Sequence, residues 1–516
     1  MRRAISLLLL AVTWSMAAQA DERPRRGETA APLSPEESSR AVKLPEGFTL
    51  ELVASKPLIA HPSSICWDER GRLYVGEWRN SGTIKRLRDD DGDGRMDQAQ
   101  LWADQLPPCH AIRPARGGLI AACDSELFYL ADRDEDGRAE VREVLPAGFA
   151  TPPRDCTWNE SGDCFVTSTH TLASQVEPLA VASLPRDNED PAEAPPRGAF
   201  ASACSPLVYQ DAVLPGLRGQ LFVCEPARNV VHRRVLHRTG LRYRLERASG
   251  DEQRDFLTSP DPWFQPRALS HGPDGRLWIV DVCRPQSDDA ATSLPPQSPR
   301  RGEDGPGHGR IWRLTRRDAP SPERLPPADM RRLTADQLAQ EVTSPLLWRR
   351  ETARRLIVET SARSTMAPLS HAVRNAGDAT GVINALSTLD ALDSLNSELL
   401  EESLADTDPA VRQHALRLSQ KLLDKRPRLL DVVLGMTGDA DARVRLQVAT
   451  ALGETRSARA LPALAKIGRG DGDDPWVRRA ILHSCAGRER ELRQVLLESP
   501  QSLGQARSLV PALGAE

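Results

Sequence analysis

The chain has 516 residues, of which 40% are hydrophobic and 27% charged, and its formal net charge is −4. This length is enough for two or three domains with their own hydrophobic cores. Charges of both signs are interspersed and form no basic stripe, which argues against nucleic acid as the main partner.

The first twenty residues have the pattern of a cleavable secretory signal. Two arginines precede an apolar stretch over residues 4–12, and the segment ends in the sequence AQA. The apolar stretch is too short to span a bilayer, and no later stretch is long enough either. We therefore expect residues 1–20 to be a signal peptide and residues 21–44 a flexible segment. The mature protein is expected to be secreted or periplasmic, without a membrane span; a retained N-terminal anchor is the alternative.

A short phrase that starts with glycine and continues with alternating apolar residues recurs five times between residues 45 and 315. Its copies are separated by 46, 45, 57 and 56 residues. A glycine turn that enters a strand, with another strand on either side, is typical of a propeller blade. The strands near residues 48 and 311 resemble those that close a ring, so we predict a β-propeller of five or six blades over residues 45–315. The copies are GRLYV at Gly71, GGLIA at Gly117, GDCFV at Gly162, GQLFV at Gly219 and GRLWI at Gly275.

Two loops in this region carry alternating carboxylates followed by a glycine. Such a pattern wraps oxygen ligands around a hard cation, and calcium tolerates the irregular geometry best. The loops lie 43 residues apart, so they occupy the same place in consecutive blades. We expect both to bind structural calcium; the alternative is a pair of solvated turns. The predicted ligands are Asp89, Asp91, Asp93 and Asp97 in the first loop, and Asp132, Asp134, Asp136, Glu140 and Glu143 in the second.

Several longer strings resemble a known family. These are the run LPEGFTLELVASKPLIAHPSSICWDERGRLYVGEWRN, the two acidic loops, CEPARNVVHR, DPWFQPR and the closing GRIWRL. They are similar to large exported propeller proteins of planctomycetes, which are labelled membrane-bound dehydrogenases and are similar to the glucose and sorbosone dehydrogenases. Members often carry HEAT repeats and a cytochrome c module. This chain has no C-x-x-C-H motif and looks shorter between residues 150 and 205, so we expect a shortened form without haem.

The resemblance implies a ligand site at the central opening, where loops that enter the first strand and leave the second strand converge. Three carboxylates there fall six residues after the glycine of their repeat, at one level of three blades. Together with nearby arginines and histidines, such carboxylates can orient a sugar's hydroxyls or act as a general base, and the arginines can clamp the carboxylates of pyrroloquinoline quinone. The alternative is that they form salt bridges between blades. The catalytic candidates are His110, His232, Glu225 and Asp281, and the cofactor-binding candidates are Arg154, Arg267, Arg284, His61 and Glu77.

The C-terminal third has a different period. Phrases that start at Asp408, Asp441 and Asp474 repeat every 33 residues, and each offers an N-cap followed by apolar residues at helical spacing. After a proline-rich linker over residues 316–330, we predict an all-α, HEAT-like solenoid over residues 331–516. Its concave face is expected to bind a protein partner; a compact helical cap on the propeller is the alternative. Arg412, Arg445 and Arg478 occupy the same position of the three phrases and are expected to form bonds between neighbouring repeats.

Two function classes follow from these observations. The first is an exported calcium-binding module whose propeller holds a carbohydrate or small polyol and whose solenoid holds a protein. The second, implied by the resemblance, is a quinone-dependent sugar or polyol dehydrogenase.

Overall fold

The computed structural model describes residues 31–78, 82–124, 126–145, 203–251, 254–284, 307–317, 329–498 and 503–514, and the backbone of three strands between residues 155 and 174. The predicted signal peptide lies outside these residues. Within them, no helix is long and apolar enough to cross a membrane.

The described residues up to 317 form one short helix followed by strands. The helix α1 spans Pro35–Ala41 and begins with a capping box of Ser34 and Glu37. The strands are β1 Phe48–Ala54, β2 Pro62–Trp67, β3 Leu73–Glu77, β4 Gly82–Arg88, β5 Gln98–Leu106, β6 Cys109–Ala115, β7 Gly118–Cys123, β8 Glu126–Ala131, β9 Val141–Leu145, β10 Asp155–Trp158, β11 Cys164–Thr167, β12 Leu172–Ser174, β13 Cys204–Val208, β14 Leu221–Glu225, β15 Val230–Thr239, β16 Arg242–Arg247, β17 Leu257–Thr258, β18 Pro266–His271, β19 Leu277–Asp281 and β20 Arg310–Arg316.

These strands form antiparallel sheets in a propeller-like arrangement. Four sheets have a path of four strands, in the orders β2-β3-β4-β5, β6-β7-β8-β9, β13-β14-β15-β16 and β18-β19-β20-β1, and β17 also pairs with β15. The last sheet takes its outer strand from the start of the region, which closes the arrangement. First strands of neighbouring sheets contact each other, as β2 does with β6 and with β18. A further three-stranded sheet, β10-β11-β12, holds the third repeat. Within the described residues, a propeller-like arrangement with four four-stranded blades is thus confirmed, whereas the count of five or six blades is not confirmed.

Glycine explains why the repeated phrase starts each second strand. Gly71, Gly117, Gly219 and Gly275 all have φ between +70° and +78°, a conformation that side chains with a Cβ rarely adopt. Each glycine therefore turns the first strand of its blade into the second. Gly162 lies outside the described residues.

The C-terminal region is helical. Asp408, Asp441 and Asp474 cap the helices that they were predicted to start, since each side chain accepts a hydrogen bond from a backbone N–H two residues on. The helices are α2 Ala335–Glu341, α3 Leu347–Glu359, α4 Met366–Asn375, α5 Ala379–Ala391, α6 Ser397–Leu404, α7 Pro409–Ser419, α8 Pro427–Gly435, α9 Ala442–Leu452, α10 Ala460–Asp471, α11 Pro475–Ser484 and α12 Glu489–Leu497.

Two of the repeated arginines join neighbouring repeats, as predicted. Arg412 binds both carboxylate oxygens of Asp439 at 2.8 and 2.9 Å. One repeat later, Arg445 binds Asp471 in the same way at 2.6 and 2.7 Å. Bidentate pairs of this kind fix both distance and orientation.

The first helices pack directly on the propeller. Trp67 and Trp278 meet edge to face, with ring centroids 4.9 Å apart, in the same core cluster as Trp348. At the start of α3, the Leu347 N–H donates to the Asp211 carboxylate at 2.6 Å. The two regions therefore share a hydrophobic core.

Candidate functional site

The first acidic loop, between β4 and β5, gathers three carboxylates. Asp89, Asp91 and Asp97 each offer an oxygen, and these oxygens lie within 4.8 Å of one another. Backbone N–H groups of the loop fix the positions of these side chains. Asp89 accepts hydrogen bonds from two glycine N–H groups, and Asp97 accepts one from Asp90 at 2.7 Å. This arrangement places oxygen atoms around one point, as a hard cation requires.

The second acidic loop, between β8 and β9, repeats the arrangement with Asp132, Asp134 and Asp136. One oxygen of Asp132 is buried and makes no hydrogen bond with the described residues. Burial raises the pKa of Asp132; the Gly137 N–H opposes this shift, and the neighbouring Asp136 and Asp134 add to it. A buried, unsatisfied carboxylate oxygen among other carboxylates fits a bound cation, because the cation would supply the missing partner and the missing charge.

Other predicted ligands lie differently in the two loops. The Asp93 carboxylate accepts from the Arg95 N–H at 2.7 Å and is outside the converging group. Glu140 accepts from the Arg133 N–H and is outside it as well. Glu143 lies on strand β9, where it pairs with Tyr129. The two loops thus have the same fold but gather different positions.

Each acidic loop is also attached to the preceding sheet at the same position. In the first loop, the Met96 N–H donates to the Val53 carbonyl on β1 at 2.8 Å. In the second, the Ala139 N–H donates to the Trp102 carbonyl on β5, also at 2.8 Å. Both donors lie seven residues after the first aspartate of their loop. A cation that fixes the loop would therefore also fix the contact between consecutive blades.

Glu77, Glu225 and Asp281, the three carboxylates six residues after a repeat glycine, end the strands β3, β14 and β19, and we call them the strand-end carboxylates. Glu77 and Asp281 accept hydrogen bonds from backbone N–H groups. Glu77 accepts from the Ala60 and His61 N–H groups, at 2.6 and 3.2 Å. Burial opposes its ionisation, but the Ala60 N–H and the Lys85 ammonium lower the pKa of Glu77. These bonds hold the loop that enters the first strand of its own blade.

Asp281 has the corresponding role in the last blade. It accepts from the Gln265 and Cys283 N–H groups at 2.8 and 2.9 Å, and from the Trp312 indole at 3.2 Å. Burial raises the pKa of Asp281 to about 6. Gln265 precedes the first strand as His61 does, so the two blades use one carboxylate position in one way.

The third strand-end carboxylate, Glu225, is buried beside His232. The Glu225 Oε2 atom lies 4.0 Å from His232 Nε2, and His232 Nδ1 lies 2.7 Å from Asp255 Oδ1. Burial opposes ionisation of Asp255, but the His232 hydrogen bond and the charges of His232 and Arg247 lower its pKa to about 2. The structure thus brings two predicted catalytic residues together around a carboxylate that sequence reasoning missed.

Two further predicted site residues, His110 and Arg267, lie apart from these carboxylates. His110 lies on β6, with its Nε2 atom 3.1 Å from the partly exposed Asp124 carboxylate. Arg267 is half-buried on β18, and its carbonyl accepts from Cys204. Arg154 lies outside the described residues.

A cluster of rings and polar groups surrounds Trp78, directly after Glu77. The Arg284 guanidinium lies 5.5 Å from the centre of the Trp78 ring, and the His61 ring lies 6.4 Å away. Arg284 also donates to the Gln265 side chain at 3.1 Å. We call His61, Trp78, Trp263, Gln265, Arg284 and His308 the Trp78 cluster.

Contacts run through the cluster from one blade to the next. Trp263 and His308 meet edge to face with centroids 5.5 Å apart. Gly307, next to His308, approaches so closely that a Cβ on it would lie 2.6 Å from the His61 ring. The Trp78 indole N–H is buried and has no hydrogen-bond partner among the described residues.

Family comparison agrees with the two-part architecture. A family model described as a domain of unknown function, DUF7133, matches residues 34–163 and 159–318, more than half of the chain. The chain belongs to the DUF7133 family. A HEAT-repeat model matches residues 396–486. No curated protein sequence matches the chain.

Several solved structures are similar to about half of this chain at low sequence identity. A protein described as an oxidoreductase (glucose dehydrogenase) from Thermus thermophilus is 14% identical, with a TM-score of 0.31, over 52% of this chain and 100% of its own. The PQQ domain of a pyranose dehydrogenase from Coprinopsis cinerea is 12% identical, with a TM-score of 0.33, over 53% and 97%. The soluble aldose sugar dehydrogenase of Escherichia coli is 12% identical, with a TM-score of 0.25, over 52% and 100%. At these values the likeness says nothing about activity.

Sequence reasoning missed several residues of the Trp78 cluster, Trp78 and Gln265 among them. Trp78 directly follows a predicted strand-end carboxylate, so its position was available as a signal. Gln265 lies in the string DPWFQPR that carries the family resemblance, whereas Asp255 had no such signal, because it lies in a connection outside the repeated phrase.

Proposed function

We propose that this DUF7133 protein is an exported, calcium-stabilised propeller that binds a carbohydrate at the Trp78 cluster. The observation that carries the proposal is the Trp78 side chain, which combines a ring flanked by Arg284 and His61 with an unpaired indole N–H among the described residues. Sugars present apolar C–H faces and many hydroxyls, and sites for such ligands combine aromatic surface with a few placed polar groups. Export rests on the predicted signal peptide and places the protein outside the cytoplasm.

Calcium has a structural role in this proposal. The two acidic loops lie at the contacts between consecutive sheets, and neither includes a residue of the Trp78 cluster. Calcium at Asp89, Asp91 and Asp97, and at Asp132, Asp134 and Asp136, would therefore stabilise the propeller without touching the sugar.

Titration calorimetry with a panel of aldoses, polyols and short oligosaccharides tests the binding proposal. We expect Arg284→Gln and Trp78→Phe to weaken the bound sugar by about tenfold each, since each removes one charge-assisted or buried hydrogen bond. Arg317→Gln is the matched control, because Arg317 is exposed outside the cluster. Absence of sugar binding by the calcium-loaded wild type would refute the proposal.

A second candidate is oxidation of the same sugar, and the Glu225, His232 and Asp255 group favours it. An imidazole held by a carboxylate at 2.7 Å is suited to take a hydroxyl proton. Pyrroloquinoline quinone would accept the hydride. Arg284 and Arg267, two of the predicted cofactor-binding arginines, would hold its carboxylates. Dye reduction by protein supplied with the quinone, abolished in His232→Gln, would favour the dehydrogenase. Sugar binding without dye reduction would support the binding module and contradict the dehydrogenase.

A further inference from the structure

We propose that the cavity between the β15–β16 hairpin and the face formed by α7, α9 and α11 binds the C-terminal carboxylate of a peptide. The cavity has a volume of about 350 Å³. Binding sites for small ligands have volumes of about 300–1,000 Å³. The cavity shares no residue with the Trp78 cluster. A peptide C-terminus specifies which part of the protein partner expected on the solenoid would be bound. This binding goes beyond the sugar-binding proposal.

Both regions of the protein build this cavity. Leu241 and Tyr243 come from the propeller hairpin, and the other lining residues come from the first helices of three consecutive repeats. The hairpin is held against these helices by an ion pair at 2.9 Å between Arg238 and Asp441. The cavity is therefore a fixed part of the contact between propeller and helices.

The cavity contains one arginine, Arg479, that the described residues do not neutralise. Arg479 lines it, is exposed, and makes no hydrogen bond or ion pair with the part of the chain that is described. Arg443 also lines the cavity and lies 3.4 Å from the Asp441 carboxylate, which is shared with Arg238. The Arg479 guanidinium, which has no anionic partner among the described residues, favours an anionic ligand, and a guanidinium matches the two oxygens of a carboxylate.

The cavity also lacks a hydrogen-bond donor at one point. The Gln413 Oε1 atom is buried and accepts no hydrogen bond within the described residues. A buried acceptor without a partner is unfavourable by about 1–3 kcal/mol in general. A ligand that offers an N–H group would satisfy it, and a simple inorganic anion would not.

Apolar side chains form the third feature of the cavity, beside the arginine and the unsatisfied acceptor. Trp476 and Leu446 line the cavity from the helices, and Leu241 lines it from the hairpin. A ligand that matches all three features has a carboxylate, an N–H donor and an apolar body. The last residue of a peptide has all three: its α-carboxylate, its amide N–H and an apolar side chain.

Titration of the full chain with N-acetyl-alanyl-leucine, compared with the same peptide as its C-terminal amide, tests this proposal. We expect the free carboxylate to bind at least tenfold more tightly than the amide. Arg479→Gln is expected to weaken the carboxylate peptide by about tenfold or more, as for other charge-assisted hydrogen bonds. Arg428→Gln, an exposed arginine of α8 outside the cavity, is the matched control and should bind as the wild type does.

Gln413→Leu separates binding from folding. It removes an unsatisfied acceptor, so we expect unchanged or higher thermal stability together with about tenfold weaker peptide binding. Equal binding of the carboxylate and amide peptides would overturn the proposal, and so would equal binding of acetate, unaltered affinity in Arg479→Gln, or absence of binding at millimolar peptide. Sugar titrations of the same variants should match the wild type, so failure here is distinguishable from failure at the Trp78 cluster.

Discussion

The acidic loops and the strand-end carboxylates use the same chemical group in opposite ways. In the loops, carboxylates of Asp132 and its neighbours converge, and one buried oxygen lacks a partner among the described residues. At the strand ends, Glu77 and Asp281 are surrounded by backbone N–H donors of the loop before the first strand. The converging negative charge of each loop therefore favours a cation, whereas Glu77 and Asp281 already have their donors.

This difference shows that an equivalent position in each blade does not by itself identify a ligand site. Both sets recur at blade spacing, and both carry negative charge. What separates them is that three carboxylates converge in each loop, whereas Glu77 and Asp281 each face hydrogen-bond donors. The catalytic assignment of Asp281 stays a prediction, and its bonds establish a role in holding the fold.

The largest expected effect comes from truncating a strand-end carboxylate. Asp281→Ala leaves two backbone N–H groups and the Trp312 indole without their acceptor in a buried place. We expect the free energy of unfolding to fall by about 3–5 kcal/mol, measured by denaturant titration. Asp104→Ala, which removes an exposed partner of Arg138, is the control and should change it by less than about 1 kcal/mol. A small effect of Asp281→Ala would show that its bonds do not hold the blade.

The Asp211 carboxylate, at the contact between the propeller and the helices, is buried as the strand-end carboxylate Asp281 is. The effect of its burial can be measured through the pH dependence of stability. Burial raises the pKa of Asp211 to about 7 from its ordinary value of 3.8. The folded state therefore binds more protons than the unfolded state between these values, so this group destabilises the fold as the pH rises through them.

Asp211→Asn keeps an acceptor for the Leu347 N–H without a titrating group. The stability of the variant relative to the wild type should thus increase from about pH 4 to pH 7, by up to roughly 1.4 kcal/mol per pH unit, and level off above. Chemical denaturation of both proteins at several pH values measures this difference. A difference that does not depend on pH would mean that Asp211 ionises freely in the folded protein.

The smallest expected effects compare matched positions of the two loops. Asp136 belongs to the converging group of the second loop, whereas Asp93, at the same place in the first loop, does not. Asp136→Asn should therefore weaken calcium binding by about tenfold or more at its loop, and Asp93→Asn by less than about threefold. Calorimetric calcium titration resolves the two cases. Equal losses would show that the bound loops adopt one geometry that differs from the structure.

Much of the fold could be predicted because its signals are local. The glycines that start the second strands, and the aspartates that cap α7, α9 and α11, act within a few residues of their own position. The acidic loops belong to the same class, since their ligands are neighbours in sequence.

The site could be predicted only in part because its contacts join distant segments. Gln265 meets Asp281 and Arg284, His232 meets Asp255, and Arg284 meets Trp78. No spacing in the sequence indicates these pairs. The same reason hides the contact of the hairpin with the helical repeats, where Arg238 and Asp441 lie 203 residues apart in sequence.

Calcium in the acidic loops is proposed to fix the contacts between consecutive blades. The most direct test is amide hydrogen exchange at Met96 and Ala139, the donors that join each loop to the preceding sheet, with calcium and with a chelator. Calcium is predicted to slow exchange at both amides in the wild type, and to slow neither in the double variant Asp91→Asn and Asp134→Asn. Exchange that is the same with calcium and with chelator in the wild type would contradict the claim.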